Sequence, residues 1–130
     1  MTSASQNVSK TCLVVDDSDM IRRVACRIVT DLGFDVSNAE NGQAALESCR
    51  ASMPDAILLD RTMPVLDGLS FLKALRTEEK NGEKPVVIFC TAERSVERIA
   101  EALHHGANEY IMKPFDSDII ETKFQLAGLM

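Results

Sequence analysis

The sequence predicts an α/β fold: a five-stranded parallel sheet wound with helices on both faces. Two observations carry this. Five short, mostly apolar runs recur along the chain: CLVV (12–15), FDVSNA (34–39), AILL (56–59), VVIFC (86–90) and EYIM (109–112). Longer segments with the period of an amphipathic helix lie between them. Strand alternating with helix is the pattern of a parallel sheet covered on both sides. The length, 130 residues, suits one domain around one core.

The elements follow in order. Residues 1–10, MTSASQNVSK, are small and polar and read as a flexible tail, leaving 11–130 as the folded domain. After the first strand, Ile21, Val24, Ala25, Ile28 and Leu32 form a helical stripe. Ser18 is placed to cap that helix and Asn41 the next. Gly33 and Gly106 stand where helices should stop, and Asn81-Gly82 ends another. Val96, Ile99, Ala100 and Leu103 repeat the stripe in a fourth helix over about 94–105. After Phe115 one last helix fits, roughly 117–128.

The strands sort by character. CLVV, AILL and VVIFC are apolar throughout and belong inside the sheet. FDVSNA alternates and EYIM is mixed, so both suit edges. Right-handed crossovers then favour the order 2-1-3-4-5, the flavodoxin-like doubly wound arrangement. The dinucleotide-binding alternative lacks support. The six glycines are scattered, and neither GxGxxG nor GxxxxGK[ST] occurs.

Composition narrows the function. A net charge of −6 argues against nucleic acid or an anionic membrane surface as a partner. No run is long enough to span a membrane, and the N-terminus lacks a signal-peptide core. Cys12, Cys26, Cys49 and Cys90 have no metal-type spacing and read as reduced thiols of a cytoplasmic protein.

The strand ends carry the chemistry. The first apolar run meets Asp16-Asp17, the third Asp60, the fourth Thr91 and the fifth Lys113-Pro114. In an open parallel sheet these ends share one edge, and ligands bind where strand order reverses. Three carboxylates, a hydroxyl and an ammonium therefore gather in one crevice. At an effective dielectric of about 20, each like-charged pair at roughly 4 Å costs on the order of 4 kcal/mol. One lysine does not neutralise three acids, so the site takes up either protons or a divalent cation. All-oxygen donors favour Mg²⁺ or Mn²⁺ over zinc. A carboxylate in such a site is a potential nucleophile toward phosphorus, with Lys113, Thr91 and the cation neutralising charge.

Together, Asp16-Asp17, LLDRTMPVLDG, Thr91-Ala92 and YIMKPF resemble the receiver domain of bacterial response regulators, the CheY type, over residues 11 to about 126. The resemblance implies that Asp60 is the phosphoacceptor. It implies that Asp17, Asp60 and the Thr62 backbone carbonyl ligate Mg²⁺, with Asp16 acting mainly through water. Thr91 would bond a phosphoryl oxygen, Lys113 would pair with its charge, and the Lys113-Pro114 bond would be cis. Tyr110 would turn inward once Thr91 moves. Thr62 and Glu93 would tune the lifetime of the acyl phosphate. The donor would be a histidine kinase or a histidine phosphotransfer protein. The output would be either the draining of phosphate from a shared kinase or a protein bound on the face of the fourth helix, fifth strand and fifth helix, where Arg94, Glu97, Arg98 and Glu101 are polar.

Each residue alone has a plainer reading. Asp60 would be a turn former, Thr91 a strand terminus, Lys113 a solvated charge and Tyr110 simple packing. Arg61 reads as a solvated side chain or as a contact to the kinase or phosphoryl group. His104-His105 complements a helix dipole, and the methionines fill core and turns. The expected whole is a stand-alone Mg²⁺-dependent phosphoacceptor, not an enzyme of ordinary turnover. Two alternatives are a phosphohydrolase working through an aspartyl phosphate and a degenerate receiver that binds without phosphorylation. Thr62 occupies the position where the hydrolase class places its second acid, which counts against the first.

Overall fold

A computed structural model describes residues 10–92 and 94–130. The expected tail, through residue 9, and Glu93 lie outside the described residues. The strands are β1 (Thr11–Val15), β2 (Asp35–Ala39), β3 (Ala56–Asp60), β4 (Val86–Thr91) and β5 (Glu109–Met112). They alternate with α1 (Asp19–Asp31), α2 (Gly42–Ala51), α3 (Gly68–Glu78), α4 (Val96–His104) and α5 (Ser117–Leu126). All pairings are parallel and the order is β2-β1-β3-β4-β5, as the apolar pattern predicts.

Period-two alternation along the central strands splits the core in two. Leu13, Val15, Ile57, Leu59, Val87 and Phe89 point to one face and pack with Leu46 of α2 and Phe71, Leu72 and Leu75 of α3. Cys12, Val14, Leu58, Ile88, Cys90 and Ile111 point to the other and meet Ala25 and Val29 of α1 and Ile120 and Phe124 of α5. Phe34 closes this second layer edge-on to Phe124, with ring centroids 5.2 Å apart. All of β3 is buried, whereas β2 is largely exposed, as a central and an edge strand should be.

Ser18 and Asn41 cap α1 and α2 through their side chains. Asp67, Ser95 and Asp116 do the same for α3, α4 and α5. Gly33 and Gly106 adopt positive φ at the ends of α1 and α4, and the Lys113-Pro114 bond is cis. The last helix is shorter than expected, because Gly128 turns left-handed and ends the helical run.

Two stripes differ from the sequence expectation. On α1 the buried line is Ala25 and Val29, while Val24 is 48% exposed. On α4 Ala102 is buried and Ile99 half-buried, whereas Val96 is 79% exposed, Leu103 42%, and Ala100 also faces solvent. The cause is rotational. At about 100° per residue, Val96, Ala100 and Leu103 lie to one side of the Ile99–Ala102 line. A spacing of three and four marks an apolar side but not the part of it that meets the sheet. Met20, read as filler, is also exposed at 75%.

Candidate phosphoryl-acceptor site

The carboxyl ends of β1, β3, β4 and β5 meet on one edge. Register sets their relative heights. Leu59 lies beside Val15, so Asp60 stands level with the start of the β1–α1 loop at Asp16. Asp60 pairs with Cys90, which puts Thr91 one residue beyond, and Thr91 pairs with Met112, just before Lys113. The Lys113 amide donates to the Thr91 carbonyl at 2.9 Å, which anchors the turn into the cis proline.

The side chains converge as the strand ends imply. Oxygens of Asp16, Asp17 and Asp60 lie within 4.8 Å of one another. Asp16 and Asp60 are buried and Asp17 is exposed, so the cluster opens to water on one side. Lys113 Nζ donates to Asp16 Oδ2 at 2.9 Å and to Asp60 Oδ1 at 2.8 Å. Lys113 is thus a half-buried bridge between two acids rather than a solvated charge. It satisfies two carboxylates and leaves the negative charge of the third.

The charges shift one another. Burial pushes the Asp60 carboxyl above its ordinary value; the Lys113 hydrogen bond opposes this, and Asp16 reinforces it. Burial alone would lower the Lys113 ammonium, but its bonds to Asp60 and Asp16 raise it overall. The lysine is therefore held charged between two acids, one of them reluctant to ionise.

The turn after β3 is built to pass close to Asp60. The Arg61 amide donates to the Cys90 carbonyl, and the Arg61 carbonyl accepts from the Gly68 amide at 2.9 Å. A Cβ at position 68 would stand 2.2 Å from the Asp60 carbonyl oxygen, so only glycine fits. Thr62 lies exposed in this turn, two residues past Asp60. Thr91 is buried at the edge, and the adjoining Ala92 is exposed. Tyr110 stands further back in β5, half-buried, with Lys123 of α5 4.5 Å from its ring centroid. Lys123 also pairs with Glu109 at 3.0 Å.

Two features escaped the sequence reading. An apolar trough lined by Met20, Ile21, Val24, Ala92, Lys113, Pro114 and Phe115 runs beside the acids. Its signal lies in the surplus apolar residues of the first helix, whose spacing is also that of a buried stripe. The other is Arg22, whose side chain reaches back to the Asp16 carbonyl. No motif marks it. Among the described residues no helix is long and apolar enough to cross a membrane.

A carboxylate at the end of β3, flanked by two more acids, a hydroxyl and a bridging lysine, defines a phosphoacceptor signalling domain. The chain belongs to the response regulator receiver domain family, whose model matches residues 12–125. It is 33% identical over 114 residues to the chemotaxis protein CheY of Pseudomonas aeruginosa, covering 87% of this chain and 91% of that one. It is 38% identical over 121 residues to the regulatory protein AtoC of Escherichia coli, of which it spans only 26%. The chemotaxis protein CheY4 of Vibrio cholerae superposes with a TM-score of 0.86 at 30% identity, over 92% of this chain and 99% of that structure. The chain is thus a response regulator receiver of a two-component system. Its family consists of signalling phosphoacceptors rather than turnover enzymes, and receivers of this kind bind Mg²⁺ at an acidic pocket.

Proposed function

We propose that residues 11–130 form a single receiver unit, acting as a stand-alone cytoplasmic response regulator whose phosphoacceptor is Asp60. The observation that carries this reading is the placement of Lys113 on both Asp16 and Asp60, with Asp17 open to solvent beside them. A carboxylate oxygen of Asp60 attacks the phosphorus of a phosphohistidine. The P–N bond breaks, its electron pair leaves with the imidazole, and an acyl phosphate remains on Asp60. Lys113 follows the charge from the carboxylate to the phosphoryl oxygens, and the Thr91 hydroxyl donates to one of them. Slow hydrolysis of the acyl phosphate ends the signal.

The oxygen-only donors, one side open to water, fit a small hard cation such as Mg²⁺, with Mn²⁺ able to substitute. Asp16, Asp17, Asp60 and the Thr62 carbonyl would hold it, Asp16 mainly through water. Bound there, it would neutralise charge on the transferring phosphoryl group.

The donor is a histidine kinase or a histidine phosphotransfer protein. The apolar trough shares Lys113 with the acids, so a donor resting on Met20, Val24 and Phe115 delivers its phosphohistidine to Asp60. The output partner binds the face of α4, β5 and α5. Its exposed Val96, Ala100 and Leu103 supply apolar contact, and Arg94, Glu97, Arg98 and Glu101 supply charge selection. Tyr110 is the switch residue. Its inward turn, after Thr91 moves toward the phosphoryl group, breaks its stacking with Lys123 and alters that face.

Acetyl phosphate, which carries no docking surface, tests the chemistry alone. Wild-type protein with Mg²⁺ gains one phosphoryl group by intact mass, and EDTA abolishes the gain. Labelling that proceeds equally in EDTA would refute the metal-dependent reading.

A further inference from the structure

Arg22 lies in α1, one turn from the acid pair, with a side chain only 16% exposed. Its Nη1 donates to the Asp16 backbone carbonyl at 2.7 Å, and its Nε donates to Asn38 Oδ1 at 3.0 Å. Its Nη2 pairs with Asp19 Oδ1 at 2.5 Å. One planar guanidinium therefore ties the exit of β1 to β2 and to the first turn of α1. None of these contacts involves a side-chain oxygen of the acid cluster.

The carbonyl it holds belongs to the peptide plane that leads into Asp17. That plane is rigid, so fixing its oxygen limits where the Asp17 Cα stands and where its carboxylate can reach. Asp16 is also secured by its amide on the Ala39 carbonyl at 3.2 Å and by Oδ1, which accepts from the Ser18 amide at 2.9 Å. Ser18 is fixed in turn as the cap of α1. Asp17 is exposed between these two anchored neighbours. Its carboxylate therefore takes its direction from the backbone on either side.

We propose that Arg22 is a positioning residue for cation binding, clamping the Asp16–Asp17 peptide so that the Asp17 carboxylate stands ready beside Asp60. This rests on the reading of the acid cluster as a Mg²⁺ site. Two effects of losing Arg22 oppose each other. Removing a cation near carboxylates favours a divalent ion, but that charge effect is screened at a solvent-open site. Releasing the peptide plane makes binding reorder the loop, and loss of such outer support typically weakens metal affinity about 10- to 100-fold. Geometry wins, so the net sign is weaker binding.

Calorimetric titration with Mg²⁺ alone, at constant ionic strength, separates the two. Arg22→Met keeps the aliphatic stem and removes the donors; its Kd for Mg²⁺ is expected to rise about tenfold. A merely structural role would lower the melting temperature in EDTA and leave Kd unchanged. A Kd equal to or below the wild-type value in Arg22→Met overturns the proposal. If that variant fails to fold by circular dichroism, Asn38→Ala decides. It releases Nε while leaving the acids and Arg22 in place. A Kd raised about threefold is expected, as for one lost hydrogen bond, and an unchanged Kd overturns the clamp. Wild-type protein that takes up no Mg²⁺ overturns the metal reading together with the clamp, whereas equal affinities overturn the clamp alone.

Discussion

Asp60 is a buried acid whose environment resists its ionisation, so the metal-free site holds its carboxylate at a cost. Burial raises its pKa, and the neighbouring acids add to the effect against the pull of Lys113. A folded-state pKa above the unfolded value means the native protein holds a proton that the unfolded chain releases. Stability from this group therefore falls as pH rises from the unfolded carboxylate value through the folded one. Asp60→Asn keeps an oxygen for Lys113 and removes the titration. In EDTA, denaturant unfolding should show Asp60→Asn more stable than wild type at pH 7, with the gap closing as pH falls through that window. A gap that widens as the solution is acidified would reverse the assigned shift. Mg²⁺ should narrow the gap at pH 7, because a ligand bound only by the native wild type stabilises it.

At the scale of elements, the β3–α3 connection is tightly shaped. Val65 adopts φ +70°, while the Leu66 amide donates to the Pro64 carbonyl at 2.7 Å across it. This is a γ-turn in the left-handed region, which is strained for a β-branched residue. The turn carries the Leu66 carbonyl to the Gly42 amide at 3.0 Å, tying the loop after Asp60 to the start of α2. Val65 is 79% exposed, so its side chain contributes little burial. Relief of strain, about 1–2 kcal/mol, should outweigh the entropy cost of glycine, about 0.5–1 kcal/mol. Val65→Gly should therefore stabilise the fold by about 1 kcal/mol in urea denaturation; a loss of stability would show that the side chain contributes more than its exposure suggests. Pro64 and Gly68 mark this segment as a turn in the sequence, but the conformation of Val65 is not legible there, because it depends on the hydrogen bonds that hold Leu66 to Gly42 and Gly68 to Arg61 on either side. Helix faces were misread for a related reason. Val24, Val96, Ala100 and Leu103 have core spacing, and only the packing angle of a helix on its sheet decides which members of a stripe are covered.

Over the whole molecule, the legible part was what strand order alone determines. Once AILL is central and parallel to CLVV and VVIFC, Asp16, Asp17, Asp60, Thr91 and Lys113 must share an edge, and the structure places them there. What stayed hidden depends on side chains that reach across elements: Arg22 onto Asp16, Lys123 over Tyr110, and the trough that Met20 and Phe115 line. Such contacts leave no periodic trace in a single sequence. On the proposed function they also separate the chemistry from its control, since the acids stand at the ends of β1 and β3 while the trough and the outer side of α4 lie on the surface. On the proposed function this edge makes Asp60, among all the carboxylates of the chain, the group that takes the phosphoryl. The most direct measurement phosphorylates wild type and Asp60→Ala with acetyl phosphate and Mg²⁺, reduces the acyl phosphate with borohydride, and maps the altered residue by peptide mass. The account requires the reduced residue at position 60 in wild type and no altered residue in Asp60→Ala. Modification at Asp16 or Asp17, or undiminished labelling of Asp60→Ala, would contradict it.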